Sequence, residues 1–178
     1  MIVEFDVFGT PGPQGSKRFV GMRGGRGVMV ESSAKVKPWR QDVKAAAEAA
    51  RQRLGCTMDG PLMASMVFTL PKPSSAPKKR RTWPDKKPDL SKLIRSTEDA
   101  ISDAGLWADD ARVVEYGRTA KVFPGEDADA LPSPGVRIRI WGMAAALSVL
   151  AACGGGGDED AQQDTSIDTP RCEQGACR

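Results

Sequence analysis

The sequence contains no histidine. That absence removes Ser-His-Asp and Cys-His nucleophilic catalysis, His-ligated zinc and histidine general bases. Metal chemistry is left to carboxylates, which suit Mg²⁺ or Mn²⁺. Aromatic residues make up only 6%, so a core must be largely aliphatic. Cysteine is scarce too: Cys56, Cys153, Cys172 and Cys177 form no CxxC pair and no zinc spacing. The apolar segment 143–153 falls far short of the ~20 residues that span a bilayer. It ends in LAAC, the form of a bacterial lipoprotein box, but cleavage there would discard everything before it, which argues against a lipid anchor. Residues 2–8 alternate apolar and acidic side chains as a strand does, not as a signal peptide does. The expectation is a cytoplasmic protein with no membrane contact.

What is present is charge, unevenly placed. From Met143 onward two basic residues face six acidic ones, whereas residues 1–142 hold 24 basic and 17 acidic residues. A basic globular part followed by an acidic, glycine-rich tail favours a polyanionic partner such as nucleic acid. The organisation expected is one domain over 1–141 and a low-complexity, flexible tail over 142–178.

The periodicities predict an α+β protein: a small mixed β-sheet packed against two main helices. IVEFDVF, residues 2–8, reads as a strand with Val3, Phe5 and Val7 on one face. A Gly/Pro loop carrying Lys17 and Arg18 follows, then a glycine-rich turn and a short returning strand. Pro38 suits the first turn of a helix running to Leu54, with Val43, Ala46, Ala47, Ala50 and Leu54 as its apolar stripe and Gly55 as its stop. LMASMVFTL, 62–70, reads as a buried strand. A second helix spans Leu90 to about Ala104, with Leu90, Leu93, Ile94, Thr97 and Ile101 inward and Ser91, Arg95, Glu98 and Ser102 on another face. Residues 112–123 and 136–141 complete the strands, the last with Arg137 and Arg139 on one face.

Between the buried strand and the second helix lies PKPSSAPKKRRTWPDKKP, 71–88, with seven Lys/Arg, one Asp and five prolines. Proline at this density precludes regular structure. Lys78, Lys79, Arg80, Arg81, Lys86 and Lys87 are candidates for gripping a phosphate backbone, with Lys17 and Arg18 of the first loop as weaker ones, and Trp83 is available to stack on an exposed base. This loop feeds directly into Asp89 at a helix entrance, and a carboxylate pair, Asp109 and Asp110, follows at a turn about twenty residues on. Phosphodiester hydrolysis needs an activated water and a stabilised leaving oxygen, which carboxylate-held divalent ions supply. Arg95, one to two turns into the helix, is placed to hold a phosphate. Each acid alone has a plainer explanation: a helix cap for Asp89 and a turn for the Asp pair. It is their conjunction with the cationic loop that points to a nuclease.

The stretch KPDLSKLIRSTEDAISDAGLWADDARVVEY resembles the RusA family of Holliday-junction resolvases, found in phages and prophages. That family shows a basic stretch, D-L-D-[NK]-L-x-[KR], D-A-L-x-x-A-G, and then a DD pair entering a V-V strand. The likeness is dense over about thirty residues and looser over 1–141. It implies a homodimer that nicks paired strands of four-way (Holliday) DNA junctions with Mg²⁺ (Mn²⁺ as an alternative). By position, Asp89 matches the first acidic ligand and Asp110 the later one, with Asp109 beside it, and Arg95 stands where the family often has a functional lysine. One position departs: Ser91 replaces the second Asp of D-L-D and brings no charge. Glu98 and Asp99 are possible substitutes, although Asp99 also suits an i, i+4 ion pair with Arg95. Two rival functions follow, a junction-binding protein with weak or no catalysis and a flap or fork nuclease.

Overall fold

A computed structural model describes residues 1–15, 17–31, 35–77, 80–143 and 176–177. The chain runs through β1 (Ile2–Phe8), β2 (Lys17–Arg23), β3 (Arg26–Glu31), α1 (Val36–Leu54), β4 (Thr57–Met58), β5 (Leu62–Thr69), α2 (Leu90–Asp103), β6 (Val113–Val122), β7 (Gly135–Gly142) and β8 (Ala176–Cys177). A 3₁₀ turn, Asp110–Arg112, leads into β6. The expected mixed sheet with two helices is present, in the order β1-β7-β5-β6. β7 is antiparallel to both β1 and β5, while β5 and β6 are parallel. Parallel neighbours need a crossover, and α2 supplies it. The helix therefore starts near the C-terminal ends of β5 and β6 and finishes near the start of β6.

One face of the sheet is apolar. Val3, Phe5 and Val7 of β1, Leu62, Ala64, Met66 and Phe68 of β5, and Val136, Ile138 and Ile140 of β7 join a single buried cluster with Val43 and Ala47 of α1 and Leu93 and Ile101 of α2. Each Val, Leu, Ile, Met or Phe among them contributes about 2 kcal/mol when fully buried. α1 begins two residues before Pro38, because Val36 and Trp39 are also buried. The Trp39 indole donates to Thr97 Oγ1 at 3.2 Å and so ties α1 to α2. Gly55 ends α1 in the left-handed region, φ 79°.

The other face is ionic. Glu4 and Asp6 of β1 lie opposite Arg139 and Arg137 of β7, and both pairs form charge-assisted hydrogen bonds at 2.9–3.0 Å. Leu131 covers the β5 side of this face and donates its backbone N–H to Thr69 Oγ1 at 2.9 Å. β2 and β3 form a separate antiparallel hairpin, as expected from the glycine-rich turn. Of the C-terminal segment, Ala176–Cys177 pair in parallel with β4. Of the expected tail 142–178, Gly142 ends β7 and Met143 donates its backbone N–H to Pro61 O at 2.9 Å, whereas residues 144–175 and 178, with the LAAC sequence, lie outside the described residues. Among the described residues no helix is long and apolar enough to cross a membrane.

Candidate nuclease site and cationic groove

The described residues of the basic loop form no helix or strand, as its prolines require, yet they are firmly tethered. Lys72 Nζ donates to Pro77 O at 2.8 Å and pairs with Glu126. Thr82 donates to the same Glu126 carboxylate from its backbone N–H and its hydroxyl. Arg81 pairs with Asp127 at 2.9 Å and lays its guanidinium 4.0 Å over the Trp83 ring. Lys121, from the end of β6, donates to the carbonyl oxygens of Lys86 and Pro88, both at 2.9 Å. These bonds sort the predicted DNA-binding cations. Arg80, Lys86 and Lys87 are exposed and their side chains make no ion pair among the described residues. Arg81 is engaged by Asp127. Lys78 and Lys79 lie outside the described residues. Lys17 and Arg18 open β2, and their side chains lie outside the description.

A second wall faces this loop. Residues 10–15 are held to α2 by Gln14 N–H donating to Lys92 O at 2.9 Å and by buried Ser96, whose hydroxyl donates to Gly12 O at 2.7 Å. Gly12 also lets the segment lie against the start of α1, since a Cβ there would meet Lys35 O at 2.4 Å. The groove between the walls has a volume of about 990 Å³ and is lined by Gln14, Arg80, Trp83, Lys87, Asp89 and Lys92, among others.

Asp89 stands at the groove's edge as the N-cap of α2, but its side chain makes no capping hydrogen bond. The plain explanation for this residue therefore fails. Its carboxylate pairs instead with Lys92 at 3.0 Å. That hydrogen bond, with the charges of Lys92, Lys87 and Lys121, holds Asp89 below the usual carboxylate range and so ionised. The Asp pair divides its work. Asp109 caps the 3₁₀ turn by accepting from Ala111 N–H at 2.8 Å. Asp110 is exposed and its side chain makes no hydrogen bond or ion pair among the described residues. Arg95 is likewise exposed and unengaged.

Asp110 keeps different company from Asp89. Its charge acts on half-buried Glu98, which accepts a short hydrogen bond from Tyr116 of β6. Burial chiefly raises the Glu98 carboxyl above its ordinary value, with Asp110 adding to the shift, and the Tyr116 hydroxyl is itself raised by burial and by Glu98. Glu98 lies nine residues beyond Asp89, about 13 Å along the helix axis at 1.5 Å per residue. Asp99 does not pair with Arg95: it meets Arg40 of α1 at 3.2 Å, because that side of α2 packs against α1. Ser91 is exposed. The donor chemistry fits a hard divalent cation, but among the described residues of one copy no group of three or more acidic, histidine or cysteine side chains converges.

Sequence reasoning missed Gln14, Lys121 and the Glu98–Tyr116 pair as parts of this region. Only Lys92 had a visible signal, its i, i+3 spacing from Asp89. Compared with known proteins, the family model described as endodeoxyribonuclease RusA matches residues 9–140. No curated protein sequence matches the chain.

Proposed function

The chain belongs to the RusA endodeoxyribonuclease family, and on that premise we propose that it nicks paired strands of four-way DNA junctions with a divalent metal, Mg²⁺ or Mn²⁺. In this reading residues 1–141 are the nuclease domain and 142–178 a separate tail. Asp89 and Asp110 are the metal ligands, with Asp109 assisting from the adjoining turn. Arg95 holds the scissile phosphate. Arg80, Lys86 and Lys87, with Lys78, Lys79, Lys17, Arg18 and Arg81, run along the DNA backbone. The observation that carries the reading is Asp89: an ionised carboxylate at the edge of a cationic groove that caps none of its helix's N–H groups and pairs instead with Lys92 on the groove wall.

Because Asp110 sits with Glu98 instead of with Asp89, we propose that the metal pocket closes between two copies, Asp89 coming from one and Asp110 from the other. A two-fold dimer also matches the symmetry of a four-way junction and brings one site to each of two strands. The bound ion would activate water and stabilise the leaving oxygen.

The test is cleavage of a synthetic four-way junction across Mg²⁺ concentrations, with flap, fork and linear duplexes in parallel. Metal-dependent nicks in the junction that vanish in Asp110→Asn support the resolvase. Preferential cutting of flaps or forks would replace it with a general branched-DNA nuclease. A second reading rests on Ser91, which brings no charge where the family places a ligand: a protein that binds junctions and cuts them poorly. Tight junction binding by the parent without nicks at any Mg²⁺ concentration would favour it.

A further inference from the structure

The groove beside Asp89 has features that a backbone-binding surface does not require. Its volume of about 990 Å³ is that of a ligand pocket. Trp83 is 58% exposed at its wall. One face of the indole is covered by the Arg81 guanidinium at 4.0 Å, and Arg81 is itself fixed by Asp127. The ring is therefore held as a platform that remains more than half exposed. On the opposing wall Gln14 has its backbone fixed to Lys92 O. Its side-chain oxygen is buried and has no hydrogen-bond partner among the described residues. Buried acceptors are almost always satisfied, so one left bare beside a cavity marks a place where a donor from elsewhere belongs.

We propose that this groove takes one unpaired nucleotide of the DNA substrate, its base stacked on Trp83 and its edge hydrogen-bonded to the Gln14 amide, so that Gln14 sets the sequence preference of cutting. The occupant is argued from three matches. Arg80, Lys86, Lys87 and Lys92 surround the groove against Asp85 and Asp89, an excess of positive charge suited to the nucleotide's phosphates. An indole supported by a guanidinium is a stacking surface for any base. A glutamine amide offers an acceptor and a donor side by side, the complement of a base edge, and its oxygen meets no donor on a DNA sugar-phosphate backbone. Asp89 on the same rim puts the base-reading pocket next to the proposed chemistry, so a recognised nucleotide would fix which phosphate is presented. This inference rests on the DNA-nuclease reading only for its consequence in cutting. The pocket's affinity for a base is separate.

The test uses the full chain and single-stranded tetranucleotides of adenine, cytosine, guanine and thymine, titrated without metal while indole fluorescence is followed. The expected result is quenching that disappears in Trp83→Phe, and a spread of at least about fivefold between the best and worst base. Trp83→Ala should weaken all four by about tenfold or more. Gln14→Leu, close in size, should compress the spread to within about twofold and melt no lower than the parent, because it removes a bare acceptor. Equal affinity for the four tetranucleotides, a spread that survives Gln14→Leu, or binding indifferent to Trp83→Ala would each overturn the proposal. The nuclease reading fails separately, by the absence of metal-dependent nicks in a junction even where base discrimination stands.

Discussion

Lys121 donates from Nζ to the carbonyl oxygens of both Lys86 and Pro88, each at 2.9 Å. The ammonium thus clamps the last turn of the basic loop to the end of β6, and its charge helps keep Asp89 ionised. Lys121→Met keeps the aliphatic stem and removes the donors. Loss of these hydrogen bonds should cost about 1 kcal/mol of stability. Junction affinity should fall by several-fold, because the loop no longer presents Lys86 and Lys87 in one arrangement. Thermal melting together with a junction-binding titration checks both. Unchanged binding would mean that the clamp does not shape the DNA surface.

Glu98 gives the fold a pH dependence of defined sign. Its carboxyl is raised above 4.5, first by burial, with Asp110 adding and the Tyr116 hydrogen bond opposing. A raised acid favours the protonated form in the folded state. Its stabilising effect is complete below the ordinary glutamate value and is lost as pH rises through the folded-state value. Glu98→Gln keeps an acceptor for Tyr116 and cannot ionise. The parent should therefore lose stability relative to Glu98→Gln as pH rises from below 4.5, and the two curves should then run parallel. Denaturant unfolding across that interval measures it, and a parent that gains stability relative to the variant over the same interval contradicts the assignment.

The N-terminal wall of the groove depends on a close approach that one hydroxyl secures. Ser96→Ala removes the bond to Gly12 O and leaves that carbonyl without its partner, which should cost about 1–3 kcal/mol. Gly12→Ala should cost at least as much, since the added methyl would sit 2.4 Å from Lys35 O. Equilibrium unfolding of both variants is the measurement.

The core was legible because period carries it. Alternation in IVEFDVF and VRIRIW, and the helical spacing of Leu93, Thr97 and Ile101, record directly which side each residue buries. The Gly55 stop and the prolines of the basic loop act through their own backbones, so they too are local signals. Contacts that depend on topology were not legible. Asp99 meets Arg40, 59 residues away, because α1 lies along α2, and no spacing rule within α2 reveals that. Lys121 reaches Pro88 only because β6 runs parallel to β5, so that its end meets the start of the crossover helix. Asp89 and Asp110 were picked out by residue type and by the basic loop beside them, but their placement along α2 follows from the same crossover.

The division of the basic loop into engaged and unengaged cations predicts distinct salt behaviour. Arg80, Lys86 and Lys87 are exposed and pair with no carboxylate among the described residues. Replacing any one with Ala should weaken DNA binding and lower the slope of log affinity against log salt by about one. Arg81→Ala should instead release Trp83, while Asp127 stays held by Arg118, so that binding falls with a smaller change in slope. Titrations at several salt concentrations separate the classes. An affinity that is flat in salt for the parent would argue against the loop as the DNA surface.

Asp89 and Asp110 supply the most decisive measurement, because a pocket shared between copies obeys a different arithmetic from one within a copy. Asp89→Asn and Asp110→Asn should each lose metal-dependent nicking by at least about 100-fold when assayed alone, since each removes a proposed ligand. Mixing and re-equilibrating the two variants forms mixed dimers in half of the molecules. If Asp89 of one copy works with Asp110 of the other, a mixed dimer holds one pocket lacking both acids and one pocket lacking neither. The mixture should then recover about a quarter of the parent's sites, and it should nick one strand of a junction per dimer without resolving it. If both acids of a pocket come from the same copy, every pocket in the mixture lacks one of them and nothing is recovered. Nicked but unresolved junctions in the mixture are thus the expected product, and a mixture as inactive as its components would place each metal pocket within a single chain.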